Sequence, residues 1–216
     1  MVVRKRKSYI ASLDNISLTL KPGDSVGVIG LNGSGKSTLL RLASGIYAPD
    51  EGKVFIEGAP STLFTSTVGL SVEESAIRNI RDGSMLMNVA TSEIDNIITE
   101  VIEFAELGRF AHLPMRTYSA GMRARMGFGL ATSLETDILL IDEVFGTGDI
   151  AFYRKAQNRI SDRMKDASIV MIATHSSAII KDFCNKVLWL DKGQVKAFGD
   201  VKSIIEEFNH SVEGIV

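Results

Sequence analysis

The sequence predicts an α/β fold: a mostly parallel sheet with helices on its faces, an antiparallel β part near the N-terminus, and an inserted helical lobe. Three observations carry the prediction. From residue 138 onward, short apolar runs alternate with stretches of helical character, the order that builds parallel sheets. Residues 13–20 alternate instead, with Ile16, Leu18 and Leu20 on one side and Ser17 and Thr19 on the other. Between them, residues from about 72 to 134 hold few strand signals; Ile94, Ile97, Ile98, Val101, Ile102 and Ala105 recur there at helical spacing.

Taken in order, residues 13–20 read as a strand that ends in the turn Lys21-Pro22-Gly23-Asp24, where Pro presets one backbone angle and Gly permits the next. Residues 25–29 are a short apolar run, the look of a buried strand. A glycine-rich loop follows, then a helix from about Lys36 to Ser44 that Gly45 ends. Residues 52–57 read as another strand. After the helical lobe come strand 138–142, helix 150–165, strand 168–173, helix 177–184 and strand 187–191. Asp191-Lys192-Gly193-Gln194 reads as a hairpin turn, and Asp200 caps a last helix bearing Ile204, Ile205 and Phe208.

The chain has 216 residues, which suits one domain, 1–216, with the lobe at about 72–134 inside it. Apolar residues make up 45% and charged residues 23%, enough for a substantial core. A net charge of −2 gives no support to a nucleic-acid partner, and none is expected. Cys184 is the single cysteine, so no internal disulfide forms. No run reaches the roughly 18 apolar residues of a membrane span. The basic residues Arg4, Lys5, Arg6 and Lys7 lack an apolar signal-peptide core behind them and read as a solvated segment.

The strongest chemical signal is Gly30-Leu31-Asn32-Gly33-Ser34-Gly35-Lys36-Ser37. It has the phosphate-binding loop pattern of a P-loop NTPase core, and a predicted strand precedes it and a helix follows. Glycines let the backbone curl so that successive N–H groups point at phosphate oxygens. The helix that begins at Lys36, Ser37 and Thr38 adds its positive end. Lys36 reaches the β- and γ-phosphates, and the Ser37 hydroxyl ligates Mg²⁺. The second signal is Ile138-Leu139-Leu140-Ile141-Asp142-Glu143, an apolar strand that delivers two acids at its carboxyl end, where ligand sites of open parallel sheets lie. There Asp142 holds Mg²⁺ through water and Glu143 polarises the attacking water as general base. The third is Tyr118-Ser119-Ala120-Gly121-Met122 ahead of a predicted helix, where Ser119 and the Gly121 N–H form either an anion site or a plain helix cap.

These three segments, in this order, resemble the nucleotide-binding domains of ABC transporters over nearly the whole chain. Residues 119–122 are similar to the family's signature sequence. The resemblance implies an ATPase that turns ATP into ADP and phosphate with Mg²⁺, and a head-to-tail homodimer in which Ser119, Ala120, Gly121 and Met122 of one copy cover the nucleotide on the loop of the other. It also implies membrane permease subunits, two of them, and a peripheral place on the cytoplasmic face of the inner or plasma membrane. Asp149 stands where the family has its D-loop. Thr174-His175-Ser176 follows a strand where it has a switch histidine, so His175 is expected at the γ-phosphate. Tyr9 stands where an aromatic stacks on adenine; the alternative is a core or edge residue.

Glu103-Phe104-Ala105-Glu106-Leu107-Gly108, Met122 with Arg123 and Arg125, and Thr147-Gly148-Asp149 resemble more narrowly the exporters of O-antigen, capsule and teichoic acid. The cargo expected is therefore a lipid-linked polysaccharide; the alternative is another ABC transporter, and after that a non-transport ABC ATPase. The family's glutamine between core and helical lobe is missing, because residues 59–80 contain none. Ser66 and Thr67 are the candidates to replace it.

Overall fold

A computed structural model describes residues 11–63, 70–134, 136–142 and 150–213. Tyr9, the segment with Ser66 and Thr67, Glu143 and Asp149 lie outside the described residues. The elements run β1 (Ser25–Ile29), α1 (Lys36–Ala43), β2 (Pro60–Leu63), α2 (Ala76–Leu86), α3 (Thr91–Phe104), α4 (Ala120–Ser133), β3 (Ile138–Asp142), α5 (Ile150–Asp166), β4 (Ile169–Ala173), α6 (Ser177–Phe183), β5 (Lys186–Asp191), β6 (Gln194–Gly199) and α7 (Val201–Glu213). Two short 3-10 turns, Gly108–His112 and Met115–Thr117, join α3 to α4.

Among the described residues the strands form one six-stranded sheet in the order β2-β3-β4-β1-β5-β6. All neighbours are parallel except the β5–β6 hairpin. The central strands are apolar throughout because helices cover both faces. On one face Val26, Val28, Leu140, Met171 and Leu188 pack with Leu39 and Leu40 of α1. On the other, Leu139, Ile141, Val170 and Ile172 pack with Ala156 and Ile160 of α5, and with Phe104 and Phe128. Trp189, Ile204 and Ile205 close a smaller core under α7.

Helices α2, α3 and α4 share a separate core built on Ile80, Ile94, Val101, Met115, Met126 and Leu130. The Ile94–Ile98–Val101 stripe read from the sequence is its α3 side. Thus α4 spans two cores, with Met126 in the helical one and Phe128 in the sheet's.

Two expected strands are not formed among the described residues. Residues 13–20 and 52–57 carry no ladder among the described residues, and the antiparallel pairing is found at β5–β6 instead. The alternation in 13–20 did mark a face, since Leu13, Ile16, Leu18 and Leu20 rest on the sheet core. A face is not a ladder, which needs a second backbone in register. The two segments line a cleft of about 1930 Å³ over α1 and the sheet, with Phe55 left 86% exposed. β2 was not expected either; it starts on a proline and pairs only with β3, the edge position that proline tolerates.

Candidate functional site

The loop at 30–37 leaves β1 and enters α1, as its flanking runs predict. Gly30 and Gly35 adopt positive φ values of 150° and 106°. Each is also confined by its neighbours. A Cβ on Gly30 would lie 2.3 Å from the Leu190 carbonyl oxygen, and one on Gly35 would lie 2.8 Å from that of Ser12. Only glycine permits both the angle and the approach.

Lys36 is buried, and its Nζ donates to the carbonyls of Gly30 (2.8 Å) and Leu31 (3.2 Å), so its charge sits inside the curl. The N-cap of α1 is Gly35, which has no side chain to cap the helix, and a helix start of that kind suits an anion. Leu31, Asn32 and Gly33 form the exposed rim, while Ser37 and Thr38 are half-buried in the first turn of α1. The Ser34 hydroxyl is buried with no hydrogen-bond partner among the described residues. A buried cation, a glycine-capped helix start and an orphaned hydroxyl suit a polyphosphate. The donors expected for Mg²⁺, the Ser37 hydroxyl and the Asp142 carboxylate, are hard oxygens. That fits an ion whose other ligands are water and phosphate oxygens, and no cluster of three or more metal-ligating side chains occurs among the described residues.

Sheet register brings the other predicted residues to the same edge. Val28 of β1 pairs with Ala173 of β4, which pairs with Asp142 of β3. Gly30 lies two residues beyond Val28, and His175 two beyond Ala173, so loop, acid and histidine all leave the carboxyl ends of three adjacent strands. His175 is exposed, just ahead of Ser176, whose hydroxyl caps α6 by accepting from the Ile179 N–H (3.4 Å).

Ser119 lies apart from this edge, as the N-cap of α4. Its hydroxyl accepts from the Met122 N–H at 3.1 Å. Ser119 and Ala120 are exposed, and Gly121 is half-buried with no atom closer than 3.9 Å to where a Cβ would stand. Tyr118 is buried beneath, its hydroxyl donating to the Phe110 carbonyl at 2.7 Å. The helix tip is thus an outward-facing set of N–H groups on the helical core, whose residues are distinct from those under the loop.

Supporting residues were missed from the sequence. The Gly193 N–H donates to the Ser34 carbonyl (3.0 Å), and the Gly193 carbonyl accepts from the Asp14 N–H (2.8 Å). The Ser12 and Thr38 hydroxyls are hydrogen-bonded at 2.8 Å. The hairpin turn itself was legible, but its docking on the loop joins residues far apart in the chain and leaves no local mark.

A family model described as "ABC transporter" matches residues 13–146. The O-antigen export system ATP-binding protein RfbE of Yersinia enterocolitica is 45% identical over 186 residues, covering 86% of this chain and 78% of that protein. The teichoic acids export ATP-binding protein TagH of Bacillus anthracis is 38% identical over 205 residues; the alignment spans 95% of this chain but 37% of that longer protein. Among solved structures, an ATP-binding subunit of an ABC transporter superposes with a TM-score of 0.79 at 25% identity, covering 92% of this chain and 87% of that one. A dimeric ATP-binding cassette bound to ADP and Pi superposes with a TM-score of 0.77 at 22% identity, covering 92% and 94%.

Proposed function

This chain belongs to the ABC transporter family of ATP-binding proteins, and on that premise we propose that it hydrolyses ATP to drive export of a lipid-linked polysaccharide. The observation that carries the hydrolytic part is the register row Val28–Ala173–Asp142, which supports one site built from the loop, Asp142 and His175. Lys36 holds the β- and γ-phosphates, with the N–H groups of residues 33–38 around them. Ser37 and Asp142 hold Mg²⁺, which when bound neutralises charge on the phosphates. Glu143 follows Asp142 directly; as general base it takes a proton from the attacking water, whose oxygen bonds to the γ-phosphorus as the bond to the β-γ bridging oxygen breaks. His175 orients that water against the γ-phosphate.

The nucleotide is completed by a second copy. Ser119 and the N–H groups of Ala120 and Gly121 offer a second anion site on a different core, facing outward. Two copies arranged head to tail bring each such tip to the partner's triphosphate, and the charge between them holds the pair closed until hydrolysis. The dimeric cassette with ADP and Pi supports this arrangement by its fold. Two permease subunits receive the motion. No helix among the described residues is long and apolar enough to cross a membrane, in keeping with a peripheral subunit on the cytoplasmic face. The cargo reading rests on the O-antigen and teichoic acid export relatives.

Two variants test the mechanism. Glu143→Gln is expected to bind ATP, hydrolyse it at least about a hundredfold more slowly, and accumulate as a dimer in size-exclusion chromatography with ATP. Wild-type turnover in that variant removes Glu143 as base. Lys36→Ala is expected to lose ATP binding in calorimetry, and normal affinity there removes the loop as the site. For the cargo, co-purification with the permease and mass spectrometry of the bound lipid is the direct measurement; a lipid without a glycan overturns the polysaccharide reading.

A further inference from the structure

One guanidinium gathers the helices that lie between the sheet and the outward-facing tip. Arg159, on α5, is largely buried, with 18% of its side chain exposed. Its Nε donates to the Thr132 hydroxyl (3.1 Å), and one Nη donates to the Ser133 hydroxyl (2.8 Å) and to the Glu100 carboxylate. Its Cζ also lies 5.0 Å from the centre of the Phe104 ring. Glu100 and Phe104 belong to α3, Thr132 and Ser133 to the last turn of α4, so three helices meet at one side chain.

The direction of the hydrogen bonds makes this contact specific. Thr132 Oγ1 donates to the Phe128 carbonyl (2.8 Å), and Ser133 Oγ donates to that of Gly129 (2.8 Å). Both hydroxyl protons are thereby spent inside α4, and what each oxygen presents to α5 is a lone pair. A group with several donors and no acceptor is required opposite, in a fixed fork, which arginine supplies and lysine does not. Beside it, Phe104, Phe128 and Phe152 of α3, α4 and α5 interlock with ring centres 5.5–6.0 Å apart. The joint is well packed and charged at its rim.

Its position in the chain gives it a consequence. Helix α4 is 14 residues long, about 21 Å, with Ser119 capping one end and the Arg159 contacts at the other. Helix α5 begins at Ile150, shortly after Asp142 and Glu143. We propose that Arg159 is the positioning residue that sets α4, and with it Ser119, in fixed relation to the sheet edge carrying residues 30–37 and Asp142. A small swing at the clamped end displaces the tip by ångströms, and a composite site tolerates little misplacement. This inference rests on the composite-site reading given above.

The test uses the full chain. Arg159→Lys keeps the charge but not the fork; Thr132→Val with Ser133→Ala removes the acceptors while leaving Arg159 and Glu100 paired. Each is made in the Glu143→Gln background, where ATP-driven dimerisation is read by analytical ultracentrifugation, and in the unaltered background, where kcat and KM are read. Expected in both sets are a loss of dimerisation and of kcat by about tenfold or more, with the ATP affinity of the separate subunit within about twofold of the control. Dimerisation retained in either set, or ATP affinity falling in step with it, overturns the inference. Should Arg159→Lys fail to fold, the Thr132/Ser133 pair decides alone. Failure of the Glu143→Gln control itself to dimerise overturns the composite-site reading and this inference together.

Discussion

A methyl group at Gly30 has nowhere to go: it would meet the Leu190 carbonyl oxygen at 2.3 Å and the Ser34 hydroxyl at 2.5 Å. The nearer obstacle is backbone, which cannot swing aside as a side chain can. Gly30→Ala is expected to lower ATP affinity at least about tenfold and to cost about 1–3 kcal/mol of stability, read by calorimetry and urea denaturation. Asp24 makes a pH-dependent contribution. Lys186 Nζ donates to it at 2.6 Å and the Lys21 N–H at 2.9 Å, and these bonds, Lys186 first, hold its carboxyl below the usual carboxylate range. A folded-state value below the unfolded one means that the stabilisation is complete above the unfolded value near 4 and fades as pH falls through the folded value. Asp24→Asn is thus expected to cost about 1 kcal/mol at neutral pH, because Lys186 is partly exposed. The urea midpoints of the two proteins are expected to converge below about pH 4.

Among elements, β1 and α6 show how tightly the sheet is covered. A Cβ on Gly27 would stand 2.8 Å from Cγ2 of the buried Ile180. Gly27→Ala is expected to destabilise by about 1–3 kcal/mol, and by less in an Ile180→Ala background, where the clashing γ carbons are gone; denaturation of the single and double variants checks this. The same burial explains which elements were legible. β1, β3, β4 and β5 lie inside the sheet and read as apolar runs because both faces are covered. α1, α5 and α6 follow the expected spans to within a residue or two, and α7 begins at the Asp200 cap, whose carboxylate accepts from the Ser203 N–H at 3.0 Å. The edge strand β2 is short and opens on Pro60, so its residues resemble a turn. Residues 13–20 carry a strand's alternation but no ladder among the described residues, a distinction that no pattern in one segment can reveal.

In the molecule as a whole, the legible part of the site is the part made by contiguous residues. The loop at 30–37 and the acidic end of 138–142 each bring strand, turn and reactive group in one stretch. That they meet is a matter of strand order, since β4 stands between β1 and β3. The supports around the loop come from distant segments: Ser12 and Asp14 from one side, Leu190 and Gly193 from the other. Arg159 and its hydroxyl partners are of the same kind, ordinary residues made specific by where three helices cross.

The bond from the Gly193 amide to the Ser34 carbonyl also bears on synthesis. The loop at 30–37 is translated well before one of its walls, the β5–β6 turn. Nascent chains that stop before residue 190 lack that wall and are expected to ignore an ATP-analogue affinity resin. Capture is expected to begin only when arrested chains are long enough for Gly193 to clear the exit tunnel. Competence for the nucleotide is thus expected to follow synthesis of the β5–β6 turn and not of the loop alone.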